Sequence, residues 1–247
     1  MTTAGKSVYH VPHDKGVTDT TPVWSADGSK LAFVRIKQSG QSAVVSVRIG
    51  SHSVTVLSGW SNDKKYRAPS WSPDGREIVY EEYDATSARL VIKDVEHGTL
   101  RELTKLSDVT ASSRATWSPG GNKILFRDSA NELYTIWEDG ERRSVISDGD
   151  SYDGVWSPDG TMIAFVEDPG DEAISISEAD GSIGWLPVDT TGYDSLSAPI
   201  WSPDATKIAF TMTKNGTSDL WMIDRSSGEQ KRLVQGIKGM ADWQVRE

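Results

Sequence analysis

Residues 71–80 read WSPDGREIVY, and four near-copies recur: WSADGSKLAF from Trp24, WSPGGNKILF from Trp117, WSPDGTMIAF from Trp156 and WSPDATKIAF from Trp201. A last stub, ADWQVRE, carries Trp243. The Trp-to-Trp intervals are 47, 46, 39, 45 and 42 residues. A period of this size marks a repeat architecture, in which a unit buries its apolar surface only against neighbouring units.

One unit shows what is repeated. In APSWSPDGREIVYEEYDATSARLVIKDVEHGTLRELT (68–104) a short β segment runs into Ser-Pro-Asp-Gly. Those residues suit a type I turn closed by a left-handed position: Pro presets φ, Asp accepts from the backbone ahead and Gly takes φ > 0. EIVYEE then reads as a second strand, RLVIKDV as a third and TLREL as a fourth, with Gly98 in the last turn. Third strands recur as AVVSVRI, ELYTIW, AISISEA and DLWMID, followed by Gly50, Gly140, Gly181 and Gly228.

The second strands KLAFV, EIVYE, KILFR, MIAFV and KIAFT are apolar at consecutive positions. A sheet with one wet face would alternate, so these strands are expected between two packed layers. Four-stranded sheets stacked face to face in a ring, a β-propeller, satisfy that demand. The fold class expected is all-β: a propeller of four-stranded antiparallel blades, five of them complete, forming a single domain over residues 1–247. The blades start near Trp24, Trp71, Trp117, Trp156 and Trp201. Segments 6–11 (KSVYHV) and 240–245 (MADWQV) read as a fourth and a first strand, so an incomplete sixth blade is expected to be shared by the termini. Its unpaired seam would offer edges to a second copy, to a partner segment or to residues outside this sequence, so an oligomer is one expected outcome there. The six tryptophans of the register are expected in the core, because a wedge between blades takes a large ring.

Composition narrows the function classes. The chain has no cysteine, which excludes disulfides, thiol catalysis and Cys-based metal sites within it. A net charge of −10 has the wrong sign for a nucleic-acid or anionic-membrane binder, so neither partner is expected. No apolar run reaches the 18 residues or so that a bilayer demands. The start MTTAGKSVYHV lacks an apolar leader core, which leaves a cytosolic chain or one whose leader has been removed.

Catalytic motifs are sparse. There is no Gly-x-Ser-x-Gly elbow and no His-Glu-x-x-His, and His10, His13, His52 and His97 are scattered. The acidic loops SDGDSYDG (147–154) and EDPGDE (167–172) hold several carboxylates, but Asp, Gly and Ser are also ordinary turn formers. No metal, cofactor or catalytic residue is expected, and Asn215 in NGT reads as a turn.

At W-S-P-D-G-x-x-I-A-F the chain resembles the TolB-like β-propeller repeat family over roughly residues 6–245, with Ala26, Gly120 and Ala205 departing from the motif. Ala205 stands where glycine is usual, so its turn is expected to take another form. The resemblance implies a periplasmic or otherwise extracytoplasmic location. It also implies a protein-binding module or a non-catalytic propeller that gates a peptidase. Because the repeats occupy the chain, no attached peptidase is expected within it.

The leading expectation is therefore a non-enzymatic module that offers a loop face and channel mouth to a protein or peptide partner. The alternatives are an enzyme acting on a glycan or small metabolite in the central pocket, or the sensor domain of a larger membrane protein. Loops on a rigid scaffold carry function. Fourth-to-first loops, and positions three or four before each Trp, are expected to line the mouth. The binding residues chosen on that basis are Trp60, Tyr66, Arg67, Arg114, Tyr152, Asp153, Tyr193 and Asp194, of types favoured at binding hot spots.

Overall fold

The computed structural model describes residues 10–12, 15–104, 114–128, 130–141, 143–147, 149–167, 173–181, 183–186 and 188–237. Among them every regular element is a strand, and no helix is long and apolar enough to cross a membrane. The first sheet comprises β1 (Val17–Trp24), β2 (Lys30–Lys37), β3 (Ser42–Arg48) and β4 (Thr55–Val56). The second comprises β5 (Lys65–Trp71), β6 (Glu77–Tyr83), β7 (Ala88–Asp94) and β8 (Leu100–Glu102). The third is β9 (Thr116–Trp117), β10 (Lys123–Arg127), β11 (Leu133–Trp137) and β12 (Arg143–Ser147). β13 (Ser151–Trp156), β14 (Met162–Glu167), β15 (Ala173–Glu178) and β16 (Ile183–Leu186) make the fourth. The fifth has β17 (Ser195–Trp201), β18 (Lys207–Lys214), β19 (Thr217–Asp224) and β20 (Gln230–Ile237). Each sheet is a meander in chain order, as the repeat pattern requires. The chain divides into two compact units, Met1–Trp117 and Ser118–Glu247. The terminal segments expected to share a sixth blade, apart from His10 and Val11, lie outside the described residues, as does Trp243.

The turns after each tryptophan follow the expected chemistry. The N–H of Gly28, Gly75, Gly121 and Gly160 donates to the carbonyl of the serine three residues before it, each at 2.9 Å. Ala205 does the same to Ser202 at 2.9 Å and holds φ at 55°. The expectation of a different turn there is thus corrected: alanine takes the left-handed position at a cost of about 1–2 kcal/mol. Beneath each turn the serine hydroxyl donates to the aspartate two residues on, Ser25 to Asp27, Ser72 to Asp74, Ser157 to Asp159 and Ser202 to Asp204, all at 2.6 Å. Where Gly120 replaces the aspartate, Asn122 Oδ1 accepts from Ser118 instead, at 3.2 Å.

The consecutive apolar positions bury two faces. In β14, Ile163 and Phe165 pack with Leu125, Leu133 and Ile146 of the third sheet. Their neighbours Ala164 and Val166 pack with Leu196, Trp201, Ile208 and Phe210 of the fifth. In the first unit, Ala32, Val34 and Val44 meet Tyr66, Trp71, Ile78 and Tyr80 of the second sheet. The opposite face of the first sheet buries Phe33, Ala43, Val45 and Val47.

Trp71, Trp117 and Trp201 are each only 6% exposed, and the Trp201 indole donates to the Val155 carbonyl of the preceding sheet at 3.2 Å. Trp156 is half-buried. Trp24 departs from the expectation of a uniform tryptophan core, being 57% exposed. It belongs to the first sheet, which has no predecessor among the described strands for its ring to pack against.

Candidate functional site

Every first strand except the short β9 is broken by a bulge just before its tryptophan, with register shifts at Thr20/Val23, Arg67/Ser70, Tyr152/Val155 and Ser197/Ile200. The residue three before each of these tryptophans adopts positive φ: Thr21 50°, Ala68 48°, Asp153 55° and Ala198 53°. A bulge leaves backbone groups outside the ladder and re-aims side chains. Asp153 uses this: its Oδ2 accepts from the N–H of Ala198, the bulge residue of the next sheet, at 3.0 Å. A carboxylate on one bulge thus satisfies the free donor of its neighbour.

In the first unit the expected residues separate. Tyr66 does not sit on a loop surface: it is 6% exposed, stands edge-on to Tyr80 at 5.9 Å, and burial pushes its hydroxyl pKa up. Trp60 is half-buried against the first sheet, with the Lys37 ammonium 3.7 Å from its ring centre. Arg67 faces Glu81, its cross-strand partner, at 3.0 Å and lies 4.1 Å over the Tyr83 ring. Glu81 is completely buried, where the same register holds Val34, Val166 and Thr211 in other sheets. A buried charge pair costs desolvation on both partners, so its worth to stability is small. Arg114 is exposed.

In the second unit two of the expected residues come together. The loop before β17 is tied down at three points. Asp189 N–H donates to Gln230 Oε1 at 2.9 Å, the Tyr193 hydroxyl donates to Asp219 Oδ2 at 3.0 Å, and Asp194 Oδ2 accepts from Asn215 N–H at 2.6 Å. Asn215 (φ 50°) and Gly216 (φ 74°) form the two-residue hairpin between β18 and β19, as NGT suggested. These pieces enclose a cavity of about 460 Å³ lined by Thr191, Tyr193, Lys214, Asp219, Arg232 and Gln235, among others. Asp219 is its hub. It accepts from Gly236 N–H at 2.9 Å, from Tyr193 and from Arg232 at 3.3 Å, and the Gly236 bond first among these holds its pKa below the usual range. Lys214 projects beside Gly192 and has no ion-pair partner among the described residues. The cavity therefore offers two cations against one carboxylate, with a phenol and amides around them. Tyr152 stays nearby in the core, its hydroxyl donating to Leu196 O at 3.3 Å.

Sequence reasoning found Tyr193 and Asp194 but missed Lys214, Asp219, Arg232 and Gln235. They lie in strands and come into one cavity only through the β18–β19–β20 pairing. Among the described residues no three His, Asp or Glu side chains converge on a metal site. Of the acidic loops, Asp150 lies 3.7 Å from Arg127, whereas Asp148 and residues 168–172 lie outside the described residues.

The TolB beta propeller domain profile matches residues 63–182, just under half of the chain. The repeats are of the TolB β-propeller type. Among curated proteins, the chain is 30% identical over 143 residues to the uncharacterized peptidase YuxL of Bacillus subtilis strain 168. That match covers 56% of this chain and 21% of YuxL, so the chain corresponds to about a fifth of that relative. Among solved structures, TolB from Acinetobacter baumannii superposes with a TM-score of 0.66 at 19% identity, covering 89% of this chain and 55% of that one. A puromycin-hydrolyzing peptidase of Mycobacterium tuberculosis superposes with a TM-score of 0.71 at 13% identity, covering 94% and 40%. At such identities the structural likenesses establish the fold. The match to the peptidase YuxL overturns the expectations of a non-enzymatic module and of no enzyme, while a 27% identity over 95 residues also relates the chain to the Tol-Pal system protein TolB of Histophilus somni.

Proposed function

We propose that this chain is the propeller portion of a peptide-hydrolysing enzyme and that its loop face receives the substrate. The observation that carries the proposal is the 30% identity to the peptidase YuxL over 143 residues. The catalytic groups belong, on this reading, to the remainder of the enzyme, and the propeller binds and orients the peptide. The Tyr193 cavity has chemistry suited to that task. Lys214 and Arg232 can hold a peptide carboxylate, while Thr191 and Gln235 can pair with main-chain amides. Arg67, Arg114 and Trp60 are assigned to the same role in the first unit, and the extracytoplasmic address implied by TolB-like propellers is part of this reading.

The test uses the complete product of the reading frame that encodes this chain, assayed on peptidyl p-nitroanilides with a free carboxylate. Replacing Arg232 and Lys214 together by Gln should raise KM about tenfold or more with kcat little changed, the signature of lost ground-state binding. An unchanged KM removes this cavity from the substrate path.

A further inference from the structure

The first sheet ends in a polar mouth. Along β3 alternate residues share a face, so Val44, Ser46 and Arg48 point the same way. Val44 packs on the second sheet, and the face continues outward to Ser46 and Arg48. Lys30 stands directly opposite Arg48, and Thr55 opposite Ser46. The second sheet closes the space with Gly75, Arg76, Val95 and Glu96, leaving a cavity of about 400 Å³.

Three observations suit this cavity to an anion. First, Lys30 and Arg48 are like charges paired across strands, an arrangement that destabilises a sheet unless something neutralises it. The matching pairs elsewhere are compensated. Glu77 binds Arg101 at 2.9 Å, Asp94 binds His97 at 2.9 Å, and Lys207 lies 3.7 Å from Asp224. Among the described residues neither Lys30 nor Arg48 has a carboxylate within ion-pair distance, although Glu96 lines the same cavity. Second, Ser46 is only 6% exposed and lines this cavity. The register-equivalent residues are Ile92, Ile176 and Met222, or Thr135, whose hydroxyl donates to Ala179 O at 3.3 Å. A hydroxyl at this position can donate to a ligand oxygen, which the apolar equivalents cannot do. Third, the cations are placed for use. Lys30 Nζ spends one proton on Gly75 O at 2.8 Å, which fixes the ammonium at the cavity with two protons to offer. Among the described residues the one ion pair of Arg76 is to Asp74, at 3.8 Å.

We infer that this cavity binds a small phosphate-class oxyanion, either free phosphate or a phosphomonoester. Arg48 presents its planar fork, Lys30 its remaining protons, Ser46 and Thr55 their hydroxyls, and Arg76 closes over the ligand from the second sheet. In a chain of net charge −10 such a site is selective for position, because bulk electrostatics repel anions.

The experiment is calorimetric titration of the protein with inorganic phosphate and, separately, with phenyl phosphate, at ionic strength held constant with chloride. Saturable one-site binding of either anion is expected, and the tighter of the two identifies a free or an esterified ligand. Arg48→Gln should weaken binding about tenfold or more, since each charge-assisted bond to phosphate is among the stronger kind. Ser46→Ala should weaken it several-fold, and neither variant should lower the melting temperature measured without anion. Absence of saturable heat with both anions overturns the proposal, as does wild-type affinity in Arg48→Gln.

Discussion

Trp71 and Trp201 each close one side of a sheet-to-sheet contact and Trp117 is as deeply buried, while Trp24, in the same motif, lies 57% exposed. Identical local sequence thus has different energetic weight, set by whether a neighbouring sheet covers the ring. Removing one of the buried three by substitution to Ala should cost about 3–5 kcal/mol, the usual loss for a large aromatic cut from a core. Trp24→Ala should cost about 1 kcal/mol or less, as for a surface position. Urea unfolding midpoints of the four variants check this, and equal losses at all four would contradict the packing described. The motif revealed where each tryptophan stands in its strand. It carried no signal of which ring would be covered, because coverage depends on the next sheet. Tyr66 shows the converse. It adjoins a polar loop and reads as a rim aromatic, yet the alternation within β5 turns it onto Tyr80.

Across the turns, the repeated serine–aspartate pair links structure to acidity. The hydroxyl bonds from Ser25, Ser72, Ser157 and Ser202 hold the carboxyls of Asp27, Asp74, Asp159 and Asp204 below the usual range, Asp204 to about 2. The folded pKa is lower than the unfolded value of about 3.9, so these groups add stability that is fully present above pH 4 or so. For Asp204 that contribution is lost as pH falls from about 4 through about 2. Asp204→Asn keeps an oxygen for Ser202 and removes the titration. Its melting temperature should therefore fall less steeply than that of the wild type over this window, and parallel curves would rule the linkage out. The hairpin turns and their glycines were legible because φ preferences are local. The αL bulges at Thr21, Ala68, Asp153 and Ala198 were not, since no residue type common to those positions demands them.

For the whole molecule, the repeats announced an all-β chain of four-stranded meanders, and the structure and the TolB-type match agree. Function was far less legible. The Tyr193 cavity gathers residues from 191 to 235 that no motif links, and the residues of a propeller surface carry no catalytic signature of their own. The expectation of a non-enzymatic binding module rested on the family resemblance, and the match to a peptidase overturns it. The chain is 30% identical over 143 residues to the peptidase YuxL, a match that spans 21% of that protein. The decisive measurement is hydrolysis of a panel of peptidyl p-nitroanilides by the complete product of the encoding reading frame. The account predicts release of p-nitroaniline with saturation kinetics from at least one peptide. No turnover of any peptide by the folded, complete product would contradict it.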